Sequence, residues 1–169
     1  MNYHTICGTK LQTVKEGVEW YCPHCKRSVF ANPVPVTDAM LFDETGKILL
    51  GKRKNEPFKG KLNLPGGFVE MNETLEQAVA REINEELGLD ESDYGKLTFA
   101  SSRVDTHTGR QLIVSIFVGH IAHTDFKTNE EVDEYVWMLP ADLKPGDLSN
   151  ENEYEHIAHV VKNLPSTTA

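Results

Sequence analysis

The sequence predicts an α/β sandwich built on a mixed sheet, preceded by a short N-terminal segment organised on its own. Three observations carry this expectation: runs of β-type residues bounded by turn formers, a strongly amphipathic helical stretch mid-chain with a second near the end, and loose alternation between them. An apolar share of 39% and a charged share of 25% suit a globular domain, and 169 residues leave room for a small appendage but not for a second full core. No apolar run approaches the roughly 20 residues of a membrane-spanning helix. Met1 to Lys10 lack the basic and apolar regions of a secretory signal, so a cytoplasmic protein is expected. A formal charge of −9 disfavours nucleic acid and anionic membranes as partners, yet a local basic pocket can still hold a small phosphate compound.

From Tyr3 to about Lys26 the chain is rich in Cys, His, Gly and Lys with no sustained period, so it cannot build an apolar core. Asn32-Pro33 and Pro35 disfavour helix and mark a connector, which sets expected boundaries of 1–31 for the N-terminal segment and 32–169 for the main domain. Residues 36–42 and 47–52 read as the strands of a hairpin turned by Asp43-Glu44-Thr45-Gly46. After Pro65-Gly66-Gly67 a helix is expected over residues 74–87, with Asn72 or Glu73 serving its first amides. Leu75, Val79, Ile83 and Leu87 form its apolar stripe, and Gly88 stands where a helix stops in left-handed geometry. Further strands are expected at 97–102, 111–121 and 132–138, a last helix within 151–163, and a frayed tail over 165–169.

The informative segment is Gly67-Phe68-Val69-Glu70-Met71-Asn72-Glu73, continued after seven residues by Arg81-Glu82-Ile83-Asn84-Glu85-Glu86-Leu87-Gly88-Leu89. Side chains three and four apart share a helix face, so Glu82, Glu85 and Glu86 form one cluster of negative charge beside the apolar stripe. Like charges so placed repel by a few tenths of a kcal/mol per pair and call for a counter-charge. Hard oxygen ligands of this kind suit Mg²⁺ or Mn²⁺, which complete their shells with water and substrate phosphate oxygens.

The spacing resembles the Nudix box, G-x5-E-x7-R-E-U-x-E-E-x-G-U with U aliphatic, and every fixed position is met. At about 6% chance occupancy per position, the fixed letters recur at fewer than roughly one in 10⁸ starting points, so a merely solvated acidic helix face is the poorer explanation. The resemblance covers about residues 34 to 140. It implies an α/β/α sandwich, with Glu82 and Glu86 as principal metal ligands, Glu85 as a further ligand or orienting acid, and the Gly67 carbonyl joining the shell. It also implies that Arg81 holds the carboxylates by charge-assisted hydrogen bonds, with Glu73 as a partner. Many relatives carry Trp where Leu62 stands here.

The implied chemistry is metal-assisted attack of water on a phosphoanhydride, with no protein nucleophile. Nudix relatives often place a general base on a distant loop, for which Glu130 and Glu131 are the candidates, weighed against an ordinary exposed acidic loop. Arg53, after Lys52, resembles a position that contacts phosphate in relatives; Arg103 and Arg110 are weaker cases, each readable as a surface cation. His156 and His159 are expected on a solvated helix face, and Trp20 and Trp137 as packing residues.

An odd count of three cysteines suits a metal site in a reducing compartment better than a disulfide framework. Cys22-x-x-Cys25 forms one knuckle and His4-x-x-Cys7 another, a closed four-ligand set for structural Zn²⁺, with His24 as an alternative fourth ligand. This resembles the zinc ribbon of NADH pyrophosphatases and their relatives, where four cysteines are usual. The downstream Ser-Gln-Pro-Trp-Pro-Phe-Pro-like motif of those enzymes has no counterpart after Leu89. The expected function is hydrolysis of a nucleoside diphosphate linked to another moiety, such as ADP-ribose, a dinucleotide or a nucleotide sugar, releasing a nucleoside monophosphate. A nucleoside triphosphate pyrophosphohydrolase and a nucleotide-sensing binding module that uses its ribbon for partner contact are the alternatives. A homodimer is compatible with the chain, and no pattern specifies one.

Overall fold

In the computed structural model, residues 2–107, 109–149 and 151–164 are described. The expected tail at 165–169 lies outside them. Contacts divide the chain into Met1–Pro33 and Val34–Ala169.

The first unit is a three-stranded antiparallel sheet: β1 (Gln12–Lys15), β2 (Glu19–Cys22) and β3 (Arg27–Phe30). Its apolar core is small, with Leu11, Trp20 and Cys22 buried and Cys7, Cys25 and Val29 packed against them. Trp20 is thus a packing residue, as expected.

The second unit holds a mixed sheet in the order β10 (Val132–Met138), β5 (Ile48–Arg53), β4 (Val34–Phe42), β9 (Arg110–His120), β8 (Thr98–His107). Two short strands, β6 (Leu62–Asn63) and β7 (Gly66–Phe68), pair with β5 and β4. β4 and β9 run parallel; the other pairings are antiparallel. Alternate residues of the buried strands face opposite layers. Ala39, Leu41, Leu49 and Phe117 meet Val79 and Ile83 of α1 (Leu75–Leu87), whereas Met40, Phe42, Leu50, Ile116 and Val118 meet Ile157 and Val160 of α3 (Glu151–Asn163). The expected α/β/α sandwich is present. A short α2 (Glu91–Tyr94) follows α1.

Several elements differ from expectation. The hairpin is splayed: β4 and β5 pair only at Phe42 and Ile48, because β7 takes Val36–Asp38 and β6 takes Gly51 and Lys52. β8 extends to His107, beyond the expected 102, since Arg103 and Asp105 turn inward and find buried partners there. Neither Asn72 nor Glu73 caps α1. Thr74 is the cap, accepting the Gln77 amide while the Gln77 side chain accepts that of Thr74, and Glu73 instead accepts the Glu70 amide. Gly88 ends the helix at φ 71°, its N–H donating to the Asn84 carbonyl.

The turn after β4 is organised by Asp43, whose buried carboxylate accepts from the Thr45 amide and hydroxyl at 2.8 Å each and the Lys47 amide at 2.9 Å, and pairs with His123 Nδ1 at 2.6 Å. His123 stacks on Trp137, which donates to the Thr124 carbonyl. Burial would raise the Asp43 pKa, but His123, Thr45 and the turn amides overcome it and hold the carboxyl well below its usual range. A depressed acid stabilises the fold above its unfolded value near 3.8, and this is lost as pH falls through the folded one. Asp43→Ala should therefore lose about 2 kcal/mol at pH 7. In urea denaturation the difference from wild type should shrink below about pH 4.

Candidate active site

Helix α1 presents Glu82, Glu85 and Glu86 in its last two turns, and Gly67 on β7 lies directly against Glu82. A Cβ built on Gly67 would come within 2.6 Å of the Glu82 carboxyl carbon, so any side chain there would displace that carboxylate. The Gly66 backbone beside Gly67 favours the ionised form of Glu86. β7 thus delivers bare backbone to both carboxylates.

Arg81 holds the cluster from its outer side. Its Nη1 donates to Glu82 at 2.8 Å and Glu85 at 3.1 Å, its Nη2 to Glu73 at 2.9 Å and the Phe68 carbonyl at 2.9 Å, and its Nε to Glu73 at 3.2 Å. Hydrogen bonding to Glu73, then to Glu82, pushes the guanidinium pKa further up; the same contact holds the Glu73 carboxyl below its ordinary value. Because one arginine serves three carboxylates, Glu86 stays unneutralised. Burial, then the neighbouring Glu82, raises the Glu86 pKa to about 8, and burial raises that of Glu82 despite Arg81. Glu85 is the most exposed of the three, with 58% of its side chain accessible.

The structure separates the two loop candidates. Glu131 adds its charge to both Glu82 and Glu86. Among the described residues Glu130 is tied through its backbone carbonyl, which accepts from Asn55 Nδ2. Arg53, half-buried at the end of β5, donates from Nε to the Pro57 carbonyl.

A second polar group lies between β4, β8 and α3. Asp38, Arg103, Asp105, Glu153 and His156 meet here, with Arg103 3.6 Å from Asp38, 3.5 Å from Asp105 and 2.9 Å from His156 Nδ1. Two expectations are corrected. Arg103 is not a surface cation but is 13% exposed, and His156 is not on a solvated face but 6% exposed and bonded to Ser101. Arg103 can only donate, so His156 Nδ1 accepts and the ring is the neutral tautomer with its proton on Nε2. Burial, reinforced by Arg103, lowers the His156 pKa to about 4, while burial raises that of Asp38 to about 7. His159 and Arg110 are exposed, as expected.

In the N-terminal unit His4, Cys7, Cys22 and Cys25 bring one donor atom each within 4.8 Å of one another. The two knuckles make the same turn, the Gly8 amide donating to the His4 carbonyl and the Lys26 amide to that of Cys22, with Gly8 and Lys26 both left-handed. Sulfur separations of 3.4 and 3.6 Å are close to the ~3.7 Å edge of a tetrahedron with Zn–S of about 2.3 Å. His4 is buried in this group, whereas His24 is exposed outside it.

The NUDIX domain family model matches residues 32–160. The chain belongs to the Nudix family. It is similar to the ADP-ribose pyrophosphatase of Methanocaldococcus jannaschii, 53% identical over 64 residues that make up 38% of this chain and 37% of that protein. It is also similar to nucleoside triphosphatase NudI of Escherichia coli O81 (strain ED1a), 38% identical over 119 residues, 64% of this chain and 84% of that one. A NUDIX hydrolase of known structure from Nitrosomonas europaea shares the fold at a TM-score of 0.70 and 24% identity, over 98% of this chain and 95% of that one. The chain is accordingly a Nudix hydrolase, and no helix among the described residues is long and apolar enough to cross a membrane.

Asn129 and Tyr135 escaped the sequence reading. Asn129 Nδ2 donates to the Tyr135 hydroxyl, which donates to the Glu86 backbone carbonyl, each at 3.2 Å.

Proposed function

We propose that this Nudix hydrolase cleaves the phosphoanhydride of a nucleoside diphosphate linked to a second moiety, of the ADP-ribose, dinucleotide or nucleotide-sugar class, and releases a nucleoside monophosphate. The observation that carries the reading is Glu82 lying against side-chain-free Gly67, with the charge of Glu82 felt at Glu86 and Arg81 bonded to Glu82. The donor set fits a hard divalent cation: two half-buried carboxylates, the more exposed Glu85 and the Gly67 carbonyl are all oxygen ligands, and Glu86 lacks a counter-charge. When bound, Mg²⁺ or Mn²⁺ neutralises phosphate oxygens and lowers the pKa of a coordinated water.

The protein's own residues supply the rest. Arg81 ties Glu82 and Glu85 to one guanidinium nitrogen, and each carboxylate keeps further lone pairs for a cation. Glu131, near Glu82 and Glu86, is the base that takes the proton from attacking water, a role for which Glu130 has less support. Arg53 contributes charge toward a phosphate. Arg103 Nε, buried without a hydrogen-bond partner among the described residues, is a spare donor for a ligand group.

The second reading, a nucleoside triphosphate pyrophosphohydrolase, is favoured by the similarity to NudI over most of that protein's length. A Mg²⁺-containing panel of ADP-ribose, diadenosine polyphosphate, UDP-glucose and nucleoside triphosphates separates the two. Monophosphate from the linked diphosphates is expected, and turnover of triphosphates alone would move the assignment to the second reading. Tight binding without turnover of any member would make the domain a nucleotide sensor.

The N-terminal unit, residues 1–31, is proposed as a structural zinc ribbon on His4, Cys7, Cys22 and Cys25. Four N/S ligands leave no open position, and the metal would stabilise a segment with only three buried core residues. Elemental analysis of purified protein should find one equivalent of zinc and Cys22→Ser should lose it; wild-type protein with far less than one equivalent would refute the ribbon.

A further inference from the structure

We infer that Asn129 and Tyr135 are positioning residues for the reaction, jointly holding Glu131 toward the metal-binding face of α1. The inference rests on the reading of Glu131 as the base. Residues 121–131, between β9 and β10, form no regular element, so the direction of Glu131 depends on what fastens the end of that loop.

Asn129 folds it. Its Oδ1 accepts the amides of Glu131 and Val132, both at 2.8 Å, an Asx-type turn that fixes the backbone on either side of Glu131. From the other side the Lys54 amide donates to the Glu131 carbonyl at 2.8 Å and Asn55 Nδ2 to the Glu130 carbonyl at 2.9 Å. None of these bonds uses the Glu131 carboxylate.

The Asn129 amide has a second half, and it points elsewhere. Nδ2 reaches the Tyr135 hydroxyl, and that hydroxyl reaches the Glu86 carbonyl. Three groups therefore form one chain from the loop to the acidic helix through a single phenol oxygen. Tyr135 is well placed for this: its register partner on β5 is Gly51, and its ring lies edge-on to Phe126, 5.8 Å away, within the same loop. The phenol spans loop and helix while its ring packs against both.

Such a chain acts on catalysis through distance, since displacing a reacting group by about 1 Å can cost up to ~10²-fold. Tyr135→Phe keeps the ring and removes the bridge. With Mg²⁺ and the panel member that turns over fastest, it should lower kcat about tenfold and leave KM within about twofold. Its melting temperature should stay near that of wild type, while amide exchange at residues 129–132 becomes faster. Asn129→Asp, which keeps the Oδ1 acceptor but not the donor, should behave like Tyr135→Phe, whereas Asn129→Ala should be worse than either.

The deciding experiment is the double variant. If Tyr135 acts through Glu131, Tyr135→Phe has no further effect on kcat in a Glu131→Gln background. An equal loss in both backgrounds, or wild-type kcat in Tyr135→Phe alongside a defective Glu131→Gln, overturns the positioning role and leaves the base assignment standing. Full activity in Glu131→Gln overturns both.

Discussion

Glu86→Gln should fold and yet lose about three orders of magnitude in turnover, the equivalent of roughly 4 kcal/mol of transition-state stabilisation. The amide has the same shape but carries neither the charge nor the second acceptor oxygen that a divalent ion requires, and EDTA treatment of wild type should reproduce the defect. Near-normal turnover would remove Glu86 from the ligand set. The same substitution should act oppositely on stability. Without metal the folded-state pKa of about 8 lies above the unfolded value of 4.5, so the folded protein retains a proton that the unfolded chain gives up. Stability contributed by this carboxyl therefore falls as pH rises from about 4.5 to 8 and then levels off. Metal-free Glu86→Gln should be more stable than metal-free wild type at pH 8, by about 1–3 kcal/mol in urea titrations, with the difference vanishing near pH 4. The group that makes the site work is then one that weakens the empty fold.

Arg81→Ala should reduce kcat by about 100-fold or more and raise the Mg²⁺ concentration needed for half-maximal rate. Five hydrogen bonds to Glu73, Glu82, Glu85 and the Phe68 carbonyl disappear together, leaving the carboxylates free to swing apart under their mutual repulsion. Arg81→Lys should recover only a small part, because an ammonium group cannot span three carboxylates and a carbonyl as one planar fork does. Full rescue by lysine would mean that charge alone, and not the fork, matters here.

How far these features could be read from the chain depends on how local their causes are. Helix α1 was legible because its stripe, Leu75, Val79, Ile83 and Leu87, repeats within one element, and because Gly88 must terminate it. The cap was misread for a reason residing elsewhere: Glu73 is occupied by Arg81 and by the Glu70 amide, which leaves capping to Thr74. Arg103 and His156 looked like surface residues since nothing adjacent in sequence buries them; their neighbours come from β4, β8 and α3, brought together only by the fold. Which of Glu130 and Glu131 lies toward the acidic helix likewise depends on the path of a loop, and Asn129 and Tyr135 give no local signal at all. In the N-terminal unit the paired spacings of His4, Cys7, Cys22 and Cys25 are visible in the chain, but that His4 and not His24 lies in the cluster follows only from the fold, which buries one and exposes the other.

The acids of α1 sit at an electrically awkward place. Peptide dipoles give a helix its negative pole at the C-terminal end, where lysine or arginine ordinarily collects, and the last turn of α1 contains no basic residue. Glu85 and Glu86 thus oppose the field of their own backbone as well as each other. A bound dication would relieve both conflicts at once, so catalysis and the integrity of the helix end would draw on the same ion.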